Sequence, residues 1–158
     1  LFVRLSQHSI VDETLGDWLR EQFDAFGAKA TQFCFQLAAE DAIRYLHQFS
    51  VLAHTLRSLG ASFALEHVDV KERSLKAVEK LQPDYVKIDG SLVQSLARDE
   101  ALQHEVQALV ERSRAAGART IAERVEDANT MAVLWQLGIS YMQGHYVHEP
   151  EVVLQEAG

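Results

Sequence analysis

The sequence predicts an α/β domain of parallel strands joined by helical crossovers, and three observations carry that reading. First, four helical stretches each stop at a glycine before a short apolar run: Gly27-Ala-Lys-Ala, Gly60-Ala-Ser-Phe, Gly117-Ala-Arg-Thr and Gly138-Ile-Ser-Tyr. Glycine accepts the left-handed backbone that closes a helix, so helix–Gly–strand is a physical joint. Second, the runs are short and largely apolar, as strands buried on both faces are. Third, each ends in polar side chains: Gln36, then Glu66 and His67, then Glu123, then Gln143. Parallel architectures place their chemistry at the C-terminal ends of the strands.

Taken in order, strands are expected at Leu1–Leu5, Gln32–Leu37, Ser62–Glu66, Tyr85–Ile88, Arg119–Ala122 and Ile139–Met142. Asp12 is placed to cap a helix carrying Leu15, Trp18, Leu19, Phe23 and Phe26 on one face. A long helix from about Glu40 to Leu59 sets Ile43, Leu46, Phe49, Ala53 and Leu56 at helical spacing. A shorter one holds Leu75, Val78 and Leu81 until Pro83 stops it. Ser91 is expected to cap a brief helix, and Asp99 a longer one with Leu102, Val106, Leu109 and Val110 inward. The last helix carries Met131, Leu134 and Trp135; both tryptophans read as core. Six βα units fit either part of an eight-stranded barrel or an open doubly wound sheet, and spacing leaves both open.

Composition excludes several classes of function. The chain has 158 residues, 47% of them apolar, with seven Phe, four Tyr and two Trp, which argues against disorder. No apolar run approaches the ~18 residues of a membrane span. A net charge of −8 disfavours non-specific binding to nucleic acid or anionic membrane, so neither DNA nor membrane is expected as a partner. The single cysteine, Cys34, cannot form an internal disulfide; it reads as a small core residue, and a cytoplasmic setting follows as the mild expectation. Among the seven histidines, no pair has the spacing of a metal site; His8, His47, His54 and His104 read as surface, and His145 and His148 as flanking the pocket rim. The chain opens without Met on a strand-like run, so a piece of a longer domain is expected.

The strand ends also resemble a known family. Tyr85-Val-Lys-Ile-Asp-Gly-Ser-Leu-Val is similar to the Leu-Lys-Ile-Asp-x-Ser-Phe-Val segment of EAL domains, the cyclic di-GMP phosphodiesterase fold. Ile121-Ala-Glu-Arg-Val-Glu-Asp resembles that family's Val-Ala-Glu-Gly-Val-Glu-Thr. Tyr141-Met-Gln-Gly-His-Tyr-Val-His-Glu-Pro resembles its Gln-Gly-Tyr-x-Phe-x-x-Pro ending. Phe2-Val-Arg-Leu-Ser looks like its Val-Asn-Leu-Ser, Phe35-Gln-Leu-Ala-Ala-Glu like Leu-Glu-Ile-Thr-Glu-Ser, and Ala64-Leu-Glu-His-Val-Asp lies where it has Ala-Leu-Asp-Asp-Phe-Gly. The resemblance implies an EAL-type (β/α) barrel, of which residues 1–158 cover the C-terminal six or so βα units, with the strands bearing the Glu-Ala-Leu motif upstream.

Active members hold two divalent cations, usually magnesium or manganese. Of the ligand positions that the resemblance carries over, only Glu123 is unchanged; Arg4 replaces the Asn, Gln36 a Glu, and Glu66 and His67 the Asp pair. Magnesium requires a tight shell of oxygen ligands, whereas Arg4 puts a permanent cation there. No metal cofactor is therefore expected. The glycine-rich loop that follows the Asp pair in the family is replaced by Val68-Asp-Val-Lys-Glu-Arg-Ser, which has no glycine; it cannot take the same path.

Arg in the Asn position resembles FimX-type degenerate EAL domains, which bind cyclic di-GMP without useful hydrolysis. The resemblance implies a receptor in type IV pilus and twitching-motility signalling, a PilZ-domain protein as partner, and a homodimer. The expected ligand contacts are Arg4, Gln36, Glu66, Lys87, Glu123 and Gln143. Each has a plainer reading alongside: Arg4 pairing with Glu66 or Glu123, Lys87 forming a structural ion pair, Gln143 satisfying loop backbone. Two other functions stay open, a weakly active metal-dependent phosphodiesterase and a nucleotide-independent scaffold.

Overall fold

The computed structural model of the chain describes residues 1–26, 29–144 and 153–154. The strands are β1 (Phe2–Arg4), β2 (Cys34–Ala38), β3 (Ser62–Val68), β4 (Tyr85–Ile88), β5 (Arg119–Ala122), β6 (Tyr141–Met142) and β7 (Val153–Leu154). They form one sheet in sequential order. Every pair from β1 to β6 is parallel; β7 returns antiparallel along β6. A doubly wound sheet reverses its strand order at a switch point, and these strands do not, so the open choice resolves toward a partial barrel. The expected count of six strands is short by one among the described residues. Val153–Leu154 carries no glycine joint ahead of it to mark it in the sequence.

The helices are α1 (Gln7–Val11), α2 (Leu15–Phe26), α3 (Ala39–Arg44), α4 (Leu46–Leu59), α5 (Glu72–Leu81), α6 (Gly90–Ser95), α7 (Glu100–Ala115) and α8 (Ala128–Gln136). Three of the glycine joints, Gly60, Gly117 and Gly138, have φ between 82° and 85°, a region open to glycine at little cost. The fourth, Gly27, lies outside the described residues. Side chains from alternate strand positions pack with these helices into one core. Phe49 and Phe63, both fully buried, meet edge to face at 5.3 Å, the geometry that the ring quadrupole favours.

Several expectations need correction. The helix expected over Glu40–Leu59 is two helices, because Tyr45 leaves helical geometry at φ −116°, ψ 43°. The break lets α3 bury Ala39 and Ala42 while α4 turns its own stripe, Phe49, Leu52, Ala53 and Leu56, inward. Asp12 does not start α2 as a plain cap: its carboxylate accepts from the Thr14 backbone N–H and hydroxyl, turning the corner between α1 and α2. Trp18 and Trp135 are not core; they are 53% and 52% exposed. Leu19, one residue after Trp18, and Leu134, one residue before Trp135, take the inward direction, and the adjacent tryptophan is rotated about 100° away. Cys34 is buried as expected, and burial pushes its thiol up to about 11.

Candidate functional site

Strand alternation sorts the sheet into two faces. Val3, Phe35, Leu37, Phe63, Leu65, Val86 and Ile88 pack into the core. The intervening positions put Arg4, Gln36, Glu66 and Lys87 on the opposite face. Register pairs Arg4 with Gln36 but sets Ala64 opposite Gln36 and Glu66 opposite Ala38. Glu66 and Lys87 therefore stand further along the strand-end level, and their long side chains reach back toward Gln36 and Arg4.

Two irregularities shape this level. Between Leu65 and Val68 the register of β3 on β4 shifts, so that Glu66 and His67 lie opposite Lys87 alone. His67 takes φ 54° there. Just past β5, the backbone N–H of Gln143 bonds Ala122 at 2.9 Å and its carbonyl accepts from Val125 at 3.1 Å. The intervening Glu123-Arg124 is squeezed outward, with Arg124 at φ 61°. Both are bulges of the kind that re-aim side chains beside sites. In each, a carboxylate residue precedes a residue held in the left-handed region.

The charged groups close on Lys87. Its Nζ donates to the Gln36 Oε1 at 3.3 Å and lies 3.4 Å from Glu123 Oε1 and 3.9 Å from Glu66 Oε1. The Phe2 ring centroid is 5.1 Å from the same ammonium, within cation–π range. Arg4 Nη2 reaches Glu66 Oε1 at 3.2 Å. Glu66 and Lys87 are nearly enclosed, their side chains 8% and 12% exposed, whereas Arg4 is 75% exposed. The plain ion-pair readings of Arg4 and Lys87 are therefore present in the structure. Gln143 contributes the backbone bonds just described, and Gly144 lies so close to Val125 that a Cβ would fall 2.2 Å from its carbonyl oxygen.

Beside this cluster, at the ends of β2, β3 and β4, is a cleft of about 280 Å³ lined in part by Glu40, His67, Asp69, Arg73 and Asp89. His67 Nδ1 lies 3.9 Å from Asp89 Oδ2. Asp89, not Ser91, caps α6: its carboxylate accepts from the Ser91 N–H at 2.8 Å and hydroxyl at 2.6 Å. These bonds, the hydroxyl's first, hold it below the usual carboxylate range. Among the described residues no three His, Cys, Asp or Glu side chains group to hold a metal ion.

Sequence reasoning missed Phe2, Asp89 and Arg124 as site residues. Asp-Gly-Ser after a strand carried a capping signal for Asp89, and Arg124 stands where the resembled motif has glycine. Nothing marked Phe2. Asp127 caps α8, its carboxylate accepting from the Thr130 N–H. The expected rim residues His145 and His148 lie outside the described residues.

Comparison with known proteins agrees with this geometry. The family model described as "EAL domain" matches residues 1–150. A protein of Shewanella oneidensis named cyclic di-GMP phosphodiesterase PdeB is 31% identical over 94% of this chain, which spans 17% of that protein. The FimX EAL domain of Pseudomonas aeruginosa, solved bound to c-di-GMP, superposes with a TM-score of 0.84 at 32% identity, covering 96% of this chain and 62% of that one. Klebsiella pneumoniae BlrP1, solved as a manganese and cy-diGMP complex, gives a TM-score of 0.79 at 25% identity over 91% of this chain and 37% of that one. The chain thus spans less than two thirds of each. From its sequential parallel strands, its strand-end residues and the match over nearly its whole length, the chain belongs to the EAL domain family.

Proposed function

We propose that this chain forms part of a cyclic di-GMP receptor domain that does not hydrolyse its ligand, with Arg4, Gln36, Glu66, Lys87, Glu123 and Gln143 facing the nucleotide. One observation carries the reading: the Arg4 guanidinium lies 3.2 Å from the enclosed Glu66 carboxylate, where the resembled metal set has a neutral Asn. A two-metal centre would need several carboxylate oxygens converging on the ions. Here Arg4 puts a permanent positive charge against Glu66, and the neutral Gln36 amide stands where the resembled set has a carboxylate. These residues do not fit a pair of magnesium or manganese ions. They suit an anion: Arg4 presents a forked, exposed guanidinium to phosphate oxygens or a guanine edge. The FimX relative with c-di-GMP in its structure supports the ligand.

By the same likeness to FimX, we place the protein in type IV pilus signalling in the cytoplasm, with a PilZ-domain protein as partner and a homodimer as its assembly. Among the described residues no helix is long and apolar enough to cross a membrane. Isothermal titration of cyclic di-GMP into the intact protein, in EDTA, tests the receptor role. Binding with Kd ~10 μM or tighter, about −7 kcal/mol, is expected; no heat at that concentration overturns it.

A weakly active phosphodiesterase is the second reading, because curated relatives carry that name and Glu123 is retained and one-third exposed. It predicts metal-dependent release of the linear dinucleotide, abolished by Glu123→Gln. Turnover that ignores a chelator would contradict it.

A further inference from the structure

Arg124 is an exposed cation on this rim that the cluster around Lys87 does not use. Its backbone sits at φ 61°, a conformation costly for any residue with a Cβ and kept only where surrounding structure imposes it. The imposing structure is the pinch on Gln143, whose N–H and carbonyl bond the residues on either side of Glu123-Arg124. From that corner the arginine stem crosses to the start of α6. A Cβ on Gly90 would lie 2.5 Å from Arg124 Cδ and 3.3 Å from Cγ, so the glycine leaves the space that the stem fills. Among the described residues its guanidinium makes no hydrogen bond or ion pair within 4 Å. Its field still reaches Asp89, whose carboxylate it helps, as the smallest of several causes, to hold down.

We infer that Arg124 is a ligand contact: a guanidinium held at the strand-end rim, its stem seated on Gly90, that binds a phosphodiester oxygen of the nucleotide. The inference rests on the receptor reading above. It adds a residue that the retained strand-end positions do not include, since glycine occupies this place in the resembled motif and can donate nothing from a side chain. The left-handed corner fixes where this guanidinium stands, and among the described residues no protein group engages its donors. Arg presents five donors in a fixed fork suited to a phosphate.

The test is calorimetry of cyclic di-GMP with the intact protein and four variants, beside thermal unfolding of each. Arg124→Gly and Arg124→Asn both suit the left-handed corner. They are expected to weaken binding tenfold or more while Tm holds or rises. Arg124→Lys should recover part of the loss, because it keeps the charge without the fork. Gly90→Ala leaves every charge in place but displaces the stem, and a several-fold weakening is expected. If Arg124→Gly and Arg124→Asn bind within twofold of the parent, the inference fails and the receptor reading stands. If the parent protein itself does not bind, the receptor reading fails and this contact falls with it.

Discussion

Replacing Lys87 with Met would remove the ammonium and keep an apolar stem beside Phe2. The structure sets the size of the effect. Glu66, only 8% exposed, would lose one of two cations, keeping Arg4 at 3.2 Å. Glu123, one-third exposed, would lose the cation at 3.4 Å. Stripping a partner from a buried pair costs ~3–5 kcal/mol. Because Arg4 stays and water reaches Glu123, about 2 kcal/mol is expected. For a domain of this size that lowers Tm by roughly 4–8 °C. Urea unfolding of the intact protein, with its midpoint read by circular dichroism, measures it. The decisive comparison is Lys87→Met alone against Lys87→Met with Glu66→Gln. If the cost is an orphaned carboxylate, neutralising Glu66 recovers at least half of it. A loss below ~0.5 kcal/mol, or additivity of the two changes within that margin, would refute the view that Lys87 holds the strand ends together.

Further expectations follow from the same structure. Phe49→Ala empties a fully buried site against Phe63 and should cost about 3–5 kcal/mol in urea unfolding. Asp89→Ala removes the cap of α6 and should cost about 1 kcal/mol at neutral pH. Because the folded Asp89 carboxyl lies below its ordinary value, that contribution is present above the unfolded pKa and lost as pH falls through the folded one; parent and Asp89→Asn stability curves should therefore converge in acid. Gly144→Ala forces a Cβ to 2.2 Å from the Val125 carbonyl; a loss of about 3 kcal/mol is expected, visible as a lowered urea midpoint. The buried Cys34 thiol, pushed up to about 11, should resist iodoacetamide at neutral pH until the chain is unfolded.

Much of the fold was legible because its signals are local. Glycine after a helical stripe marks a left-handed closure wherever it occurs, and Gly60, Gly117 and Gly138 behaved so. Tyr85–Ile88 and Arg119–Ala122 were legible to the residue, being short apolar runs between a helix end and a polar tip. The tryptophans misled because a helical stripe is one face wide: apolar character alone did not say whether Trp18 or Leu19 pointed inward, and only the position of the neighbouring sheet decides. The break at Tyr45 was hidden for a similar reason. Nothing in Arg44-Tyr45-Leu46 disfavours a helix, and the bend serves the packing of two helices on different parts of the sheet.

The sequence by itself determined the parallel α/β class, the order of its elements and the polar residues at the strand tips, since each follows from spacing, capping and composition within about twenty residues. Tertiary structure alone decided the sequential strand order that separates barrel from doubly wound sheet. It also decided the convergence of four strand ends on the Lys87 ammonium and the two bulges that place Glu66 and Glu123 beside it. Those depend on register between segments 20 to 34 residues apart, and register is set by hydrogen bonds across strands that no single stretch of sequence contains.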